Sequence, residues 1–164
     1  MPTAEPTAPP IQDIPFLPEY QSVSFKDGTY PVYTGPGETY FRVGNATLGG
    51  GVCRLYGSIG DWLLIGYGTS DGGYRIGFIT NTALPETITT SELLLSSAHV
   101  TLQSEASITD DPVINAVAFG KLPAGSQVTV LAYLNDANNW AYVEVTDFQD
   151  GRPARGFINR NHFE

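Results

Sequence analysis

Short runs of alternating apolar and polar residues recur along the chain, separated by Gly, Asn, Asp and Pro. This period-two pattern predicts β-strands joined by tight turns. Val-Cys-Arg-Leu-Tyr at 52–56, Asp-Trp-Leu-Leu-Ile at 61–65 and Arg-Ile-Gly-Phe-Ile at 75–79 form one set, with turns expected at 57–60 and 71–73. Runs at 128–132, 139–143 and 154–158 repeat that set, with turns expected at 135–138 and 150–151. Trp62 and Trp140 stand 78 residues apart, and Gly77-Phe78-Ile79 stands 79 residues from Gly156-Phe157-Ile158, so the chain carries an internal repeat. A longer irregular stretch precedes each meander, opened by Thr34-Gly35-Pro36-Gly37 in the first and Thr109-Asp110-Asp111-Pro112 in the second. The expected fold is all-β: two small five-strand β-barrels in tandem, at residues 19–86 and 98–164. A connector at 87–97 joins them, with Leu93, Leu94 and Leu95 packing between the barrels. Residues 1–18 hold half of the twelve prolines, interleaved with Thr and Ala, and are expected to form an extended linker biased to polyproline II.

Composition supports strands over helices: 18 Gly, nine Tyr and eight Phe accompany a single Met among 164 residues. With 41% apolar residues the chain can bury a core, which excludes wholesale disorder. Eight basic residues against seventeen acidic ones leave a net charge of −9, so nucleic acid and anionic membrane surfaces are poor partners. No run approaches the roughly 18 apolar residues of a spanning helix, and no membrane insertion is expected. Cys53 is the only cysteine, which excludes an intramolecular disulfide and a Cys-rich zinc site. Residues 1–18 lack the basic and apolar regions of a secretory signal, a pattern shared by cytosolic proteins and by exported chains trimmed after their signal.

The order of a Tyr/Gly-Pro-Gly loop, a short strand, Asn/Asp-Trp with alternating apolar residues and a closing Gly-aromatic-Ile resembles the bacterial SH3-like domains. Tyr33-Thr-Gly-Pro-Gly-Glu-Thr-Tyr-Phe-Arg42 carries the likeness in the first copy. Trp140-Ala-Tyr-Val-Glu144 and Arg155-Gly-Phe-Ile158 carry it in the second. The resemblance implies recognition without turnover and no cofactor. It also implies an extracellular or cell-wall-associated location, where such modules hold exported proteins on the wall by binding peptidoglycan peptides. A protein–protein adaptor, an enzyme with an unrecognised site using Asp110, Asp111 and His99, and a structural spacer of a larger exported protein are the alternatives.

Phasing the Trp strands suggests where a ligand would sit. Glu144 shares parity with Trp140 and Tyr142, whereas Ala141, Val143 and Val145 take the other face. A lone Glu marks the wetter face, so Trp140 and, by alignment, Trp62 are expected to be half-exposed, with Leu63, Ile65 and Tyr67 inward. The expected ligand-binding residues are Tyr33, Tyr40, Arg42, Trp62 and Tyr74 in the first copy, and Trp140 and Arg155 in the second. Aromatic rings would stack on the ligand while Arg42 reaches a carboxylate. Pro36 and Gly37 suit a type II turn, with Gly37 at positive φ. Asp110-Asp111-Pro112 reads as a cap followed by a helical turn at 112–115 rather than as a metal site. Arg152, Arg155 and Arg160 are either solvated charges on an edge strand or an anion-contacting corner near Trp140. No catalytic residue is expected. Cys53 reads as a small buried apolar side chain, and nothing places His99 or His162 beside it.

Overall fold

The alternating segments become strands, each extending past the limits read from the sequence. In the computed structural model, which describes residues 14–68, 74–112, 118–134 and 139–164, the first half holds β1 (Gln21–Val23), β2 (Gly28–Tyr33), β3 (Arg42–Leu48), β4 (Cys53–Ile59), β5 (Trp62–Gly68) and β6 (Tyr74–Thr80). The second half holds β7 (Ala98–Thr101), β8 (Ala106–Ile108), β9 (Gly120–Leu122), β10 (Gln127–Tyr133), β11 (Trp140–Gln149) and β12 (Arg152–Asn159). The only helical elements among the described residues are 3-10 turns at Asn81–Ala83 and Arg160–His162. The protein is all-β.

The first half forms one six-stranded sheet in the order β1-β4-β5-β6-β2-β3. In the second half β7-β10-β11-β12 form one sheet and β8-β9 another, and a bridge between Thr109 and Phe157 sets the pair beside β12. The order β7-β10-β11-β12-β8-β9 matches the first half strand for strand, so the sequence repeat is a repeat of topology. Six strands replace the five expected in each half. The first sheet keeps open edges at β1 and β3 instead of closing into a barrel.

The recurring Gly-Phe-Ile has a steric cause. A Cβ at Gly77 would lie 2.5 Å from Val32 Cγ1, and one at Gly156 would lie 2.7 Å from Ile108 Cγ1. Val32 and Ile108 occupy equivalent places near the ends of β2 and β8. Only glycine lets those strands approach β6 and β12 so closely.

Turn chemistry follows the sequence in part. Asp150 and Gly151 both take positive φ (54° and 73°), the signature of a type I′ hairpin turn. The turn expected at 57–60 shrinks to Gly60-Asp61, because Ile59 pairs directly with Trp62 and Gly57 lies inside β4 at a register shift. The type II turn at Gly35-Pro36-Gly37 does not form, and Gly37 does not adopt positive φ. Instead the Gly37 N–H donates to the Gly35 carbonyl at 2.9 Å, and the Tyr40 ring lies against Gly35 where a Cβ would be. The turns expected at 71–73 and 135–138, and most of the helical turn expected at 112–115, lie outside the described residues.

Three apolar layers hold the fold. Leu63, Ile65 and Tyr67 of β5 point into the core of the first half, and Ala141, Val143 and Val145 of β11 point into that of the second. The third layer lies between the halves. Leu64 and Phe78 meet Trp140, Tyr142 and Phe157 there, so equivalent strands of both copies supply it. Leu93 is buried in this layer and Leu95 packs against it, but Leu94 is 81% exposed. Residues 14–18, expected to belong to the linker, are bound. Leu17 enters the shared layer, Ile14 enters the second core, and the Leu17 N–H donates to the Tyr133 carbonyl at 2.7 Å.

A layer shared by both halves couples their stability. Phe78→Ala should cost about 3–5 kcal/mol. Urea unfolding followed by Trp fluorescence and by circular dichroism should show one coincident transition shifted to lower denaturant. Two separate transitions, with only one of them shifted, would show that the halves fold independently.

Candidate functional site

The expected aromatic platform divides between an interface and an open cleft. Trp140 is only 8% exposed, and Tyr142 and Phe157 are buried beside it. The parity read for β11 is right, but the face bearing Glu144 is covered by the first half rather than wet. A signal for this was present. Residues 62–65 (Trp-Leu-Leu-Ile) are apolar at consecutive positions, the mark of a strand covered on both faces. Trp62 remains partly buried at the rim, with its ring edge-on to Tyr33 at 5.5 Å between centroids.

Glu144 misleads as a marker of exposure because its charge is satisfied inside. Arg155, its cross-strand neighbour, donates from Nε to Glu144 Oε1 at 2.9 Å. Tyr40 reaches over from the first half and donates its hydroxyl to the same oxygen at 2.5 Å. The Arg155 guanidinium also lies 5.4 Å from the Tyr40 ring centroid. Burial, and then the hydrogen bond to Glu144, push the Tyr40 phenol above its ordinary range. Phe41, the next residue, stacks on Phe119 at 6.0 Å and meets Phe148 edge-on at 5.2 Å. Its N–H donates to the Pro153 carbonyl at 2.8 Å. The loop after Gly-Pro-Gly is therefore a clamp on the second half, and Tyr40, Trp140 and Arg155 serve the interface.

The corresponding loop of the second half reaches back. The Ile76 N–H donates to the Asp110 carbonyl at 2.8 Å, and Arg75 Nη1 lies 3.4 Å from Asp110 Oδ2. Asp110 is buried, and its Oδ1 has no hydrogen-bond partner among the described residues. Burial raises its pKa, an effect that the Arg75 charge opposes. Nearby Tyr67 is pushed up to about 12, by burial first and then by the Asp110 charge.

Tyr33 and Arg42, cross-strand partners at the ends of β2 and β3, open onto a cleft of about 430 Å³ between the halves. Glu38 and Phe41 join them from the first half, and Gln149, Asp150 and Arg152 come from the β11–β12 hairpin. Arg42 is braced along its own strand by a 2.5 Å hydrogen bond from Nη2 to Asn45 Oδ1. Arg152 Nη1 donates to the Glu38 carbonyl at 3.1 Å. Among the described residues, neither arginine has a carboxylate within ion-pair distance. Arg152 was legible only as one of three clustered arginines, because its place beside Arg42 depends on how the halves dock.

The remaining candidates lie elsewhere. Tyr74 pairs with Gly68 at the far end of the β5–β6 hairpin from Trp62, and its ring covers Arg54, whose Cζ is 4.1 Å from the centroid. Cys53 is a partly buried free thiol against the first core, and burial pushes its pKa up. His99 Nδ1 lies 3.1 Å from Thr129 Oγ1 and His162 Nδ1 lies 2.9 Å from Ser104 Oγ, so each imidazole has a hydroxyl partner in the second half. Arg160 pairs with Glu164 at 2.6 Å and covers the Tyr133 ring.

Compared with known proteins, the chain matches no protein-family model, no curated protein and no solved structure.

Two outcomes follow from the interface. Glu144→Ala would leave Arg155 largely buried without its anion and should cost about 3–5 kcal/mol in urea unfolding. Tyr40→Phe removes one hydrogen bond and should cost about 1–3 kcal/mol. Asp110 gives a dependence on pH. A carboxyl whose folded pKa is raised contributes stability below its unfolded pKa and loses it as pH rises through the folded value. Stability should therefore gain from Asp110 as pH falls toward the ordinary carboxylate value of 3.8. Asp110→Asn should remove that component from a plot of stability against pH, and an unchanged plot would show that Asp110 does not supply it.

Proposed function

We propose that this protein is a non-catalytic binding module made of two SH3-like units, which recognises peptidoglycan peptides outside the cell or at the cell wall. Support for SH3-like units comes from the repeated strand order and the repeated Gly-Phe-Ile packing, together with the resemblance of the two motifs. The observation that carries the binding reading is the cleft at Tyr33. Two arginines from different halves, neither with a carboxylate partner among the described residues, converge there beside an aromatic ring.

The cleft suits a short peptide bearing carboxylates. Guanidinium groups bind carboxylates by paired hydrogen bonds, which fixes the orientation of the ligand as well as its charge. Glu38 and Asp150 border the same space and offer sites for an amine. A ligand with both charges, as in a stem peptide, complements this arrangement better than a polyanion would. An overall charge of −9 repels a polyphosphate, whereas a peptide meets the cations only locally.

Titration of the protein with synthetic stem peptides, and separately with glycan strands, tests the reading by amide NMR shifts and Trp fluorescence. Stem peptides should shift Tyr33, Phe41, Arg42 and Arg152 and perturb Trp62. Arg42→Ala combined with Arg152→Ala should weaken binding about tenfold or more, as expected for losing charged hydrogen bonds. Absence of shifts at millimolar stem peptide would end the wall-binding reading.

A further inference from the structure

A second groove, unrelated to the cleft at Tyr33, lies along the outer edge of β4. That edge is covered twice. β1 pairs with Cys53, Arg54 and Leu55, and the connector then takes over, with the Ser58 N–H donating to the Ser91 carbonyl and the Leu93 N–H to the Ser58 carbonyl. Gly57 lets the connector approach, since a Cβ there would fall 2.7 Å from Leu93 Cδ2. Gln21 Nε2 ties the two coverings together by donating to the Thr89 carbonyl at 2.9 Å. Between them and residues 15–20 remains a groove of about 660 Å³.

Three features of this groove point to one class of occupant. Phe16, Tyr20 and Leu94 line it at 57%, 45% and 81% exposure, and they are three of the five large hydrophobic residues exposed among the described residues. Apolar surface gathered in one place is the usual mark of a contact site. Glu19 and Glu92 also line it. The Arg54 guanidinium lies over the Tyr20 ring, 4.5 Å from its centroid, and pairs with neither, so among the described residues both lining carboxylates lack a cationic partner. Finally, the backbone N–H and C=O groups of Thr90 and Glu92 have no backbone partner among the described residues. The connector runs parallel to β4 at Ser58, so these groups lie on the side away from β4 and leave an open edge on a segment that lines the groove.

We propose that this groove binds an extended segment of a partner polypeptide in which apolar side chains alternate with Lys or Arg. The segment adds as a further strand beside residues 90–92. Its apolar side chains lie against Phe16, Tyr20 and Leu94, and its cations face Glu19 and Glu92. This site shares no residue with the cleft at Tyr33 and does not depend on the peptidoglycan reading.

Two blocked synthetic peptides test the proposal: one alternating Lys with Val and Phe, the other carrying Glu in place of Lys. In amide NMR and calorimetric titrations of the full chain, the Lys peptide should bind below millimolar and shift residues 16–21 and 89–94. The Glu peptide should bind at least tenfold more weakly. Phe16→Ala with Leu94→Ala removes exposed side chains only, so the fold survives, and should weaken the Lys peptide about tenfold. N-methylation of alternate peptide amides should abolish binding in one phase and spare it in the other, as strand pairing requires. Equal binding of the two peptides, shifts confined to other surfaces, or no binding at millimolar peptide would overturn the proposal. So would concentration-dependent shifts of residues 16–21 and 89–94 without peptide, because the occupant would then be a second copy of the chain.

Discussion

The apolar layer between the two halves governs how every other part of the molecule is placed. Each half has its own core, but β5, β6, β11 and β12 are apolar on both faces, and a solitary half would leave one of them in water. Burying Leu64, Phe78, Trp140, Tyr142 and Phe157 together removes that exposure. At roughly 1.5–3 kcal/mol for each large side chain, such a layer weighs heavily against the marginal stability of a domain. Because equivalent strands of the repeat supply it, one motif serves twice: its glycine admits β2 or β8, and its phenylalanine fills the shared layer.

Docking of the halves then determines which polar groups stay inside. Glu144, Arg155 and Tyr40 form a cross-half network, and Arg75 and Asp110 form another. Such groups contribute direction more than net stability, since desolvating a charge cancels much of what pairing returns. They fix how one sheet lies on the other, which an apolar layer alone specifies loosely. The arrangement is not fully satisfied. Trp140 Nε1, the Tyr142 hydroxyl and Asp110 Oδ1 lack hydrogen-bond partners among the described residues, a cost the apolar contacts offset.

Docking also creates the surfaces available for binding. The cleft at Tyr33 exists only because the β11–β12 hairpin lies beside β2 and β3, bringing Arg152 to Arg42. The groove at Phe16 exists because residues 14–20 run from Tyr133 of the second half to the edge of the first sheet. Among the described residues, the arginines of one surface have no carboxylate partner and the carboxylates of the other have no cationic partner, so the two surfaces differ in the charge they present.

The three strands of each meander, the repeat and the Asp150-Gly151 turn could be read from the residues alone, because period-two alternation and turn residues act over a few neighbouring positions. The sixth strand of each half and the conformation at Gly35-Pro36-Gly37 could not. The same alternation also sets which face of β5 and β11 enters each half's own core: Leu63, Ile65 and Tyr67 in one, Ala141, Val143 and Val145 in the other. The fate of the opposite face was settled by how the halves dock. Glu144 suggested water there, yet Arg155 and Tyr40 supply inside the protein the partners that water would otherwise provide. Whether a charge is solvated or paired depends on residues 104 positions away in the case of Tyr40, and no local pattern encodes that separation. The binding of Ile14 and Leu17 and the meeting of Arg42 with Arg152 were hidden for the same reason. Local rules fix which surfaces a strand presents, and long-range packing fixes what covers them.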